Sequence, residues 1–166
     1  MGFGAGDLGD YISKPSFRGF AIQYRDLVQP NIGVGFELGW NTFYEDKATD
    51  TYSIENVSYT GKQWRYNNQF PALAAVDYYL KPDESLNPFF GLGIGTMYSS
   101  RILDMGQYRF EEVAWHFALR PEVGILLEVA SGAQFAITGK YFHGFASGGL
   151  EDQSYFTLNV GFVFAE

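Results

Sequence analysis

Seven ionisable residues stand out by their spacing. Arg25, Glu37, Asp77, His116, Arg120, Glu122 and Lys140 lie in runs where large apolar residues alternate with glycine, small or polar ones. All seven take the parity of the small residues. A β-strand sends alternate side chains to opposite faces, so the seven are expected on one face. Leaving the histidine aside, the set holds three cations and three anions. An unpaired charge taken out of water costs several kcal/mol, so these six are expected to pair, with His116 beside Arg120 and Glu122. Two chemistries suit such a set: a salt-bridged plug that holds an interior rigid, or a switchable gate on a narrow ion path.

Three other groupings were weighed for chemistry. His143 stands near Ser147 and Glu151, types that together serve acyl transfer or hydrolysis; glycines around Ser147 favour a simple loop. The acidic stretch with Glu45, Asp46, Asp50 and Glu55 offers oxygen ligands to a divalent cation, or is a solvated loop. Gly91-x-Gly93-x-Gly95 precedes no helical pattern and so makes a poor phosphate cradle. The chain has no cysteine, which excludes disulfides and thiolate metal sites. No catalytic residue, metal or cofactor is expected. The net charge of −8 argues against a nucleic-acid partner.

The elements that position these residues read as strands. Residues 88–98 show the pattern best: Phe90, Leu92, Ile94, Thr96 and Tyr98 on one parity, Gly91, Gly93, Gly95 and Met97 on the other. Further strands are expected at 17–26, 32–44, 64–80, 114–128, 134–142 and 154–164. A first, short strand is expected within 1–6. Pro71 falls inside the fourth strand, and proline removes a ladder donor, so a break or bulge is expected there. Residues 7–16 read as a turn-rich loop. The connections alternate between short (28–31, 81–87, 129–133) and long (45–62, 99–113, 143–153), the segment 99–113 being a loop or an extended hairpin top. Trp40, Tyr44, Trp64, Tyr98, Trp115 and Tyr141 sit at the long-loop ends of strands. Tyr24, Tyr78, Phe90 and Phe164 sit at the short-turn ends. Two aromatic girdles, an apolar outer face, a glycine-rich inner face and asymmetric connections are the pattern of a transmembrane β-barrel. The expected fold is all-β, one domain over residues 1–166: an eight-stranded antiparallel up-and-down transmembrane β-barrel. A lipocalin-like soluble barrel would need the opposite sidedness.

The first strand is shorter than the 9–11 residues that cross a bilayer, and no leader is visible, so a processed or shortened chain is expected. No run of about 18 apolar residues occurs, which excludes a membrane-spanning helix.

Several motifs carry a resemblance: Phe70-Pro71 with Asp77-Tyr78-Tyr79-Leu80, then residues 87–95 (Asn-Pro-Phe-Phe-Gly-Leu-Gly-Ile-Gly), 120–125 (Arg-Pro-Glu-Val-Gly-Ile) and the closing 158–164 (Leu-Asn-Val-Gly-Phe-Val-Phe). From about residue 17 onward the chain resembles the small outer-membrane barrels of the OmpA, OmpX and OmpW type, above all their relatives in Bacteroidota. Such barrels commonly end on an aromatic residue, whereas Ala165 and Glu166 follow Phe164 here. The resemblance implies the outer membrane as location and its lipid as surroundings. Its closest functional expectation is a small non-enzymatic barrel with a plugged interior, serving as a structural or accessory subunit of another outer-membrane complex. Two alternatives stay open. One is a narrow pore or carrier for small hydrophobic solutes, as in the OmpW type, with Pro71 or Gly139 as places where the wall opens. The other is a lipid A-modifying enzyme; lipid A deacylase barrels carry His-x-Ser on a strand facing the membrane, whereas here the order is His143-Gly144-Phe145-Ala146-Ser147.

Overall fold

The computed structural model describes the chain apart from residues 55, 56, 107, 131, 165 and 166, and its side chains outside 50–60. Glu55, Ser131 and the closing Ala165-Glu166 pair therefore lie outside the described residues, as does the side chain of Asp50. The elements are β1 (Gly2–Ala5), α1 (Gly6–Tyr11), β2 (Arg18–Gln29), β3 (Ile32–Ile54), β4 (Val57–Tyr79), β5 (Leu86–Met105), β6 (Tyr108–Ala130), β7 (Ala133–Gly144) and β8 (Gln153–Phe164). They form one antiparallel sheet in the order β1-β8-β7-β6-β5-β4-β3-β2. From β2 to β8 each strand pairs with the next, an up-and-down meander, and β1 adds to the far side of β8.

The alternation sorts as the period-2 pattern requires. On β8, Phe156, Leu158, Val160, Phe162 and Phe164 are exposed, whereas Tyr155 and Thr157 are buried. On β5, Phe90, Leu92 and Ile94 are exposed and Phe89 and Met97 buried. Large apolar side chains thus cover the outer face. The inner face is tight: side chains of β3 meet those of β6 and β7 directly, so the sheet curls until its two halves face each other.

Closure is the first correction. The sheet is not sealed into a barrel. Among the described residues no ladder joins β1 to β2; Gly2 makes an isolated bridge to Ser16, ahead of β2, their backbone groups exchanging hydrogen bonds of 2.7 and 2.8 Å. β1 pairs with Thr157, Phe156, Tyr155 and Ser154 of β8, and the Met1 amino group donates to the Leu158 carbonyl. All of β2 except Arg25 is exposed.

The second correction concerns the long connections. Residues 45–54 and 57–62 are not a loop: β3 and β4 continue as paired strands to Ile54↔Val57. Likewise 99–113 is the extended hairpin top, with β5 and β6 paired to Met105↔Tyr108. In this upper part the buried positions are as often polar (Glu45, Gln63, Asn67 and Ser99) as apolar (Ile102 and Met105), so the sequence loses its apolar alternation while the backbone ladder persists.

Third, residues 7–16 begin as a helix. Gly6, at φ 54°, turns the chain off β1, and α1 follows. Leu8, Tyr11 and Ile12 recur at helical spacing and are buried against Phe43, Met97, Phe142 and Tyr155 in the upper interior. Burying such side chains contributes about 1.5–3 kcal/mol each. Six residues are too few for a periodic signal in sequence, and a helix that short forms only with tertiary support.

The break expected at Pro71 is present. Ladder pairs run to Leu38↔Ala72 and resume at Asn41↔Gln69 in unchanged register, so Gly39 and Trp40 have no partner pair opposite Pro71 and Phe70. It is an interruption, not a bulge.

Candidate functional site

The interior charge network is built by five strands. β2 supplies Arg25, β3 Glu37, β4 Asp77, β6 Arg120 and Glu122, and β7 Lys140. Arg120 Nη2 lies 2.9 Å from Glu37 Oε2, and Arg120 Nη1 contacts Glu122. Lys140 Nζ donates to Glu37 Oε1 at 2.8 Å and stands 3.8 Å from Glu122 Oε2. Arg25 Nε donates to Asp77 Oδ2 at 2.5 Å, and its Nη2 reaches Glu122 Oε1 at 3.5 Å. Gln23 Nε2 adds a donor to Glu37 at 2.9 Å. Glu37 and Glu122 therefore each hold two or more cations, and one continuous net of opposite charges crosses the interior. Glu37 and Arg120 are fully buried. Arg120 meets its carboxylates as charge contacts more than as aligned hydrogen bonds.

The glycines of β5 make this possible. A Cβ at Gly93 would sit 3.1 Å from Arg120 Nε and 3.2 Å from a methyl of Leu73; one at Gly91 would run into the Asp77 carboxylate. The strand facing the network has given up its side chains to the guanidinium and carboxylates.

Above the net lies the apolar cork of α1 and its partners, beside a band of amides. Asn67 Nδ2 donates to Gln153 Oε1 at 2.9 Å, and Ser99 Oγ to Gln69 Oε1 at 2.6 Å. At the rim the Tyr11 ring is held between two guanidinium groups, Arg101 at 3.7 Å and Arg65 at 4.8 Å from its centroid, and its hydroxyl donates to the Ile102 carbonyl at 3.2 Å.

His116 is buried on the inner face, as its parity implies, and its ring nitrogen Nδ1 lies 2.8 Å from the Phe145 carbonyl oxygen. It ties β6 to the segment after β7 and stands outside the ion net. His143 meets Ser154, not Ser147: its Nδ1 is 2.8 Å from Ser154 Oγ. Ser147 instead exchanges backbone hydrogen bonds of 3.0 Å with Leu150.

The acidic stretch is neutralised by cations where it is described. Glu45 accepts from the Ser13 backbone N–H at 2.6 Å and pairs with Lys47 at 2.7 Å. Burial opposes its charged form, but Lys47 and Ser13 outweigh it and hold its pKa below the ordinary value. Asp46 pairs with Lys14 at 2.7 Å and Lys62 at 3.2 Å, and those two ammonium groups lower its pKa to about 2.

The girdle residues ring the outer face. Trp115, Tyr24, Tyr78 and Phe164 are exposed, and Trp40, Tyr44, Trp64, Tyr98 and Tyr141 half-buried. They pack pairwise across strands, as in Tyr98–Trp115 at 5.1 Å and Tyr78–Phe90 at 5.4 Å between ring centroids. Where the ladder opens at Pro71 the outer wall is notched by an apolar groove of about 390 Å³, lined by Leu38, Gly39, Phe70, Pro71, Ala72, Tyr98 and Trp115.

In comparisons with known proteins, no family model and no curated protein matches the chain. Sequence reasoning missed the cork and the Tyr11 clamp, because both depend on a helix too short to leave a pattern.

Proposed function

We propose that this chain is a small outer-membrane barrel protein without enzymatic activity, whose interior is plugged and whose work is done by its wall and tall hairpins as an accessory or structural subunit. The observation that carries this reading is the filled interior, a buried net of six charges beneath an apolar cork, inside a sheet whose outer face is apolar. An eight-stranded interior is only wide enough for side chains to fill, and the side chains at hand pair with one another rather than line a path. The resemblance to the OmpA, OmpX and OmpW type supports the same reading. Reconstitution in planar bilayers tests it. The expected result is no stepwise conductance, together with a stoichiometric partner co-purified from native membranes; ordered, long-lived channels would overturn it.

One observation favours a second reading, a carrier for small hydrophobic solutes. The Pro71 groove is apolar, and two ladder pairs are absent behind it. Solute uptake lost on deletion of the chain and restored by it would favour this reading; uptake unaffected would remove it.

A further inference from the structure

The groove at Pro71 and the rim above it make one amphiphilic surface. The groove is a notch in the outer wall bordered by Leu38, Phe70, Ala72, Tyr98 and Trp115. Its back is closed: Gln69, Leu73 and Met97 fill the interior behind it and are buried. A hydrocarbon tail fits such a notch and has no way onward. Tyr98 and Trp115 belong to the girdle at the long-hairpin ends of the strands. The groove therefore lies just below the level at which lipid heads meet water.

One outward position higher the wall changes chemistry. Past Trp40 comes Thr42, paired with Arg18 on β2 and with Asn68 on β4. Thr42 Oγ1 donates to Asn68 Oδ1 at 2.7 Å, which fixes the amide and leaves its nitrogen as a donor. The Arg18 guanidinium lies over the Tyr44 ring at 5.8 Å, and among the described residues it meets no carboxylate. Further up the same wall Asp46 takes both Lys14 and Lys62, so that group too has a cation to spare. This is a local excess of positive charge on a chain whose net charge is −8. A guanidinium and an amide donor above an apolar notch match a phosphate above an acyl chain.

We propose that this surface holds one resident lipid whose phosphate head carries net negative charge, with an acyl chain in the Pro71 groove and the head on Arg18 and Asn68. The inference rests on the membrane reading above. The charge of the whole chain repels such a lipid, so a preference for it has to arise locally. A resident lipid differs from a transported solute in having a head to be held and, with the groove closed behind, no path inward.

Trp115 reports on the groove directly. Trp40→Phe and Trp64→Phe leave it as the single tryptophan. The full chain is reconstituted in phosphatidylcholine vesicles with a minor share of lipid brominated on its acyl chains, either phosphatidylglycerol or phosphatidylcholine, and quenching of Trp115 gives their relative affinity. A preference of about fivefold for brominated phosphatidylglycerol is expected, the scale of one cation acting on an anionic lipid. It is expected to vanish in Arg18→Gln, which takes away the cation, and in Ala72→Phe, which fills the groove, and to persist in Lys81→Gln at the opposite end of the wall. A preference that survives both changes, or that Lys81→Gln lowers as much, would overturn the proposal. So would release of the brominated lipid by dodecane, a hydrocarbon without a head, which would give the groove to a solute. Loss of quenching as protein is crowded into the vesicles would give it to a second copy, with the same consequence. Equal quenching by the two lipids in the parent protein sinks this inference alone; no quenching by either sinks the membrane reading and this inference with it.

Discussion

Arg120 is the residue on which the interior turns. It is fully buried and meets two carboxylates, Glu37 on β3 and Glu122 on its own strand. Removing it leaves three buried carboxylates to two cations, Lys140 and Arg25, and breaking a buried pair from one side costs about 3–5 kcal/mol. Arg120→Met is therefore expected to lower the unfolding free energy of the detergent-folded protein, measured in urea, by that amount, whereas Lys81→Met, at an exposed i,i+3 pair with Glu84, stays within about 0.5 kcal/mol of wild type. Equal effects of the two would refute the network. At the rim the sign of the pH dependence is set by Asp46. Its folded pKa is lowered to about 2, so its pairing is in force above the ordinary carboxylate range and is lost as pH falls through about 2. A carboxyl NMR titration of Asp46 is expected to have its midpoint near 2, not near the ordinary 3.8. The six network charges were legible from parity alone, since a charge among glycines on a strand has one face to occupy. The partners of His116 and His143 were not, because they depend on which residue the next strand or segment brings opposite.

At the scale of elements, period 2 marks strands only where one face is apolar. The belt portions of β2 through β8 are legible for that reason, whereas the upper reaches of β3 and β4 read as a loop and those of β5 and β6 as a loop or an extended hairpin top. Proline kept its meaning: Pro71 interrupts the β3–β4 ladder. Restoring a donor with Pro71→Ala is expected to join Gly39 and Trp40 to the ladder and slow amide exchange there; unchanged exchange would place the cause of the break elsewhere. The cork follows another rule. Ile12 is fully buried, and Ile12→Ala should cost about 2–5 kcal/mol in thermal unfolding without producing conductance, because the ion net beneath still fills the interior. A channel opened by this change alone would make the cork the barrier.

The whole molecule is a curled sheet with a charge network and an apolar cork within and Phe, Leu, Ile and Val on its outer face, where a soluble barrel carries polar residues. Sidedness is the central claim, and a chain with no native cysteine permits a direct measurement. Single cysteines at Leu92, Ile94 and Val160 on the outer face, and at Gly161 and Thr157 on the inner, would each carry a nitroxide in a lipid bilayer. The first three are expected to be reached by dissolved oxygen and shielded from a water-soluble nickel relaxant, and the inner two to be shielded from oxygen. Outer labels relaxed freely by nickel would contradict the account, because those side chains would then face water.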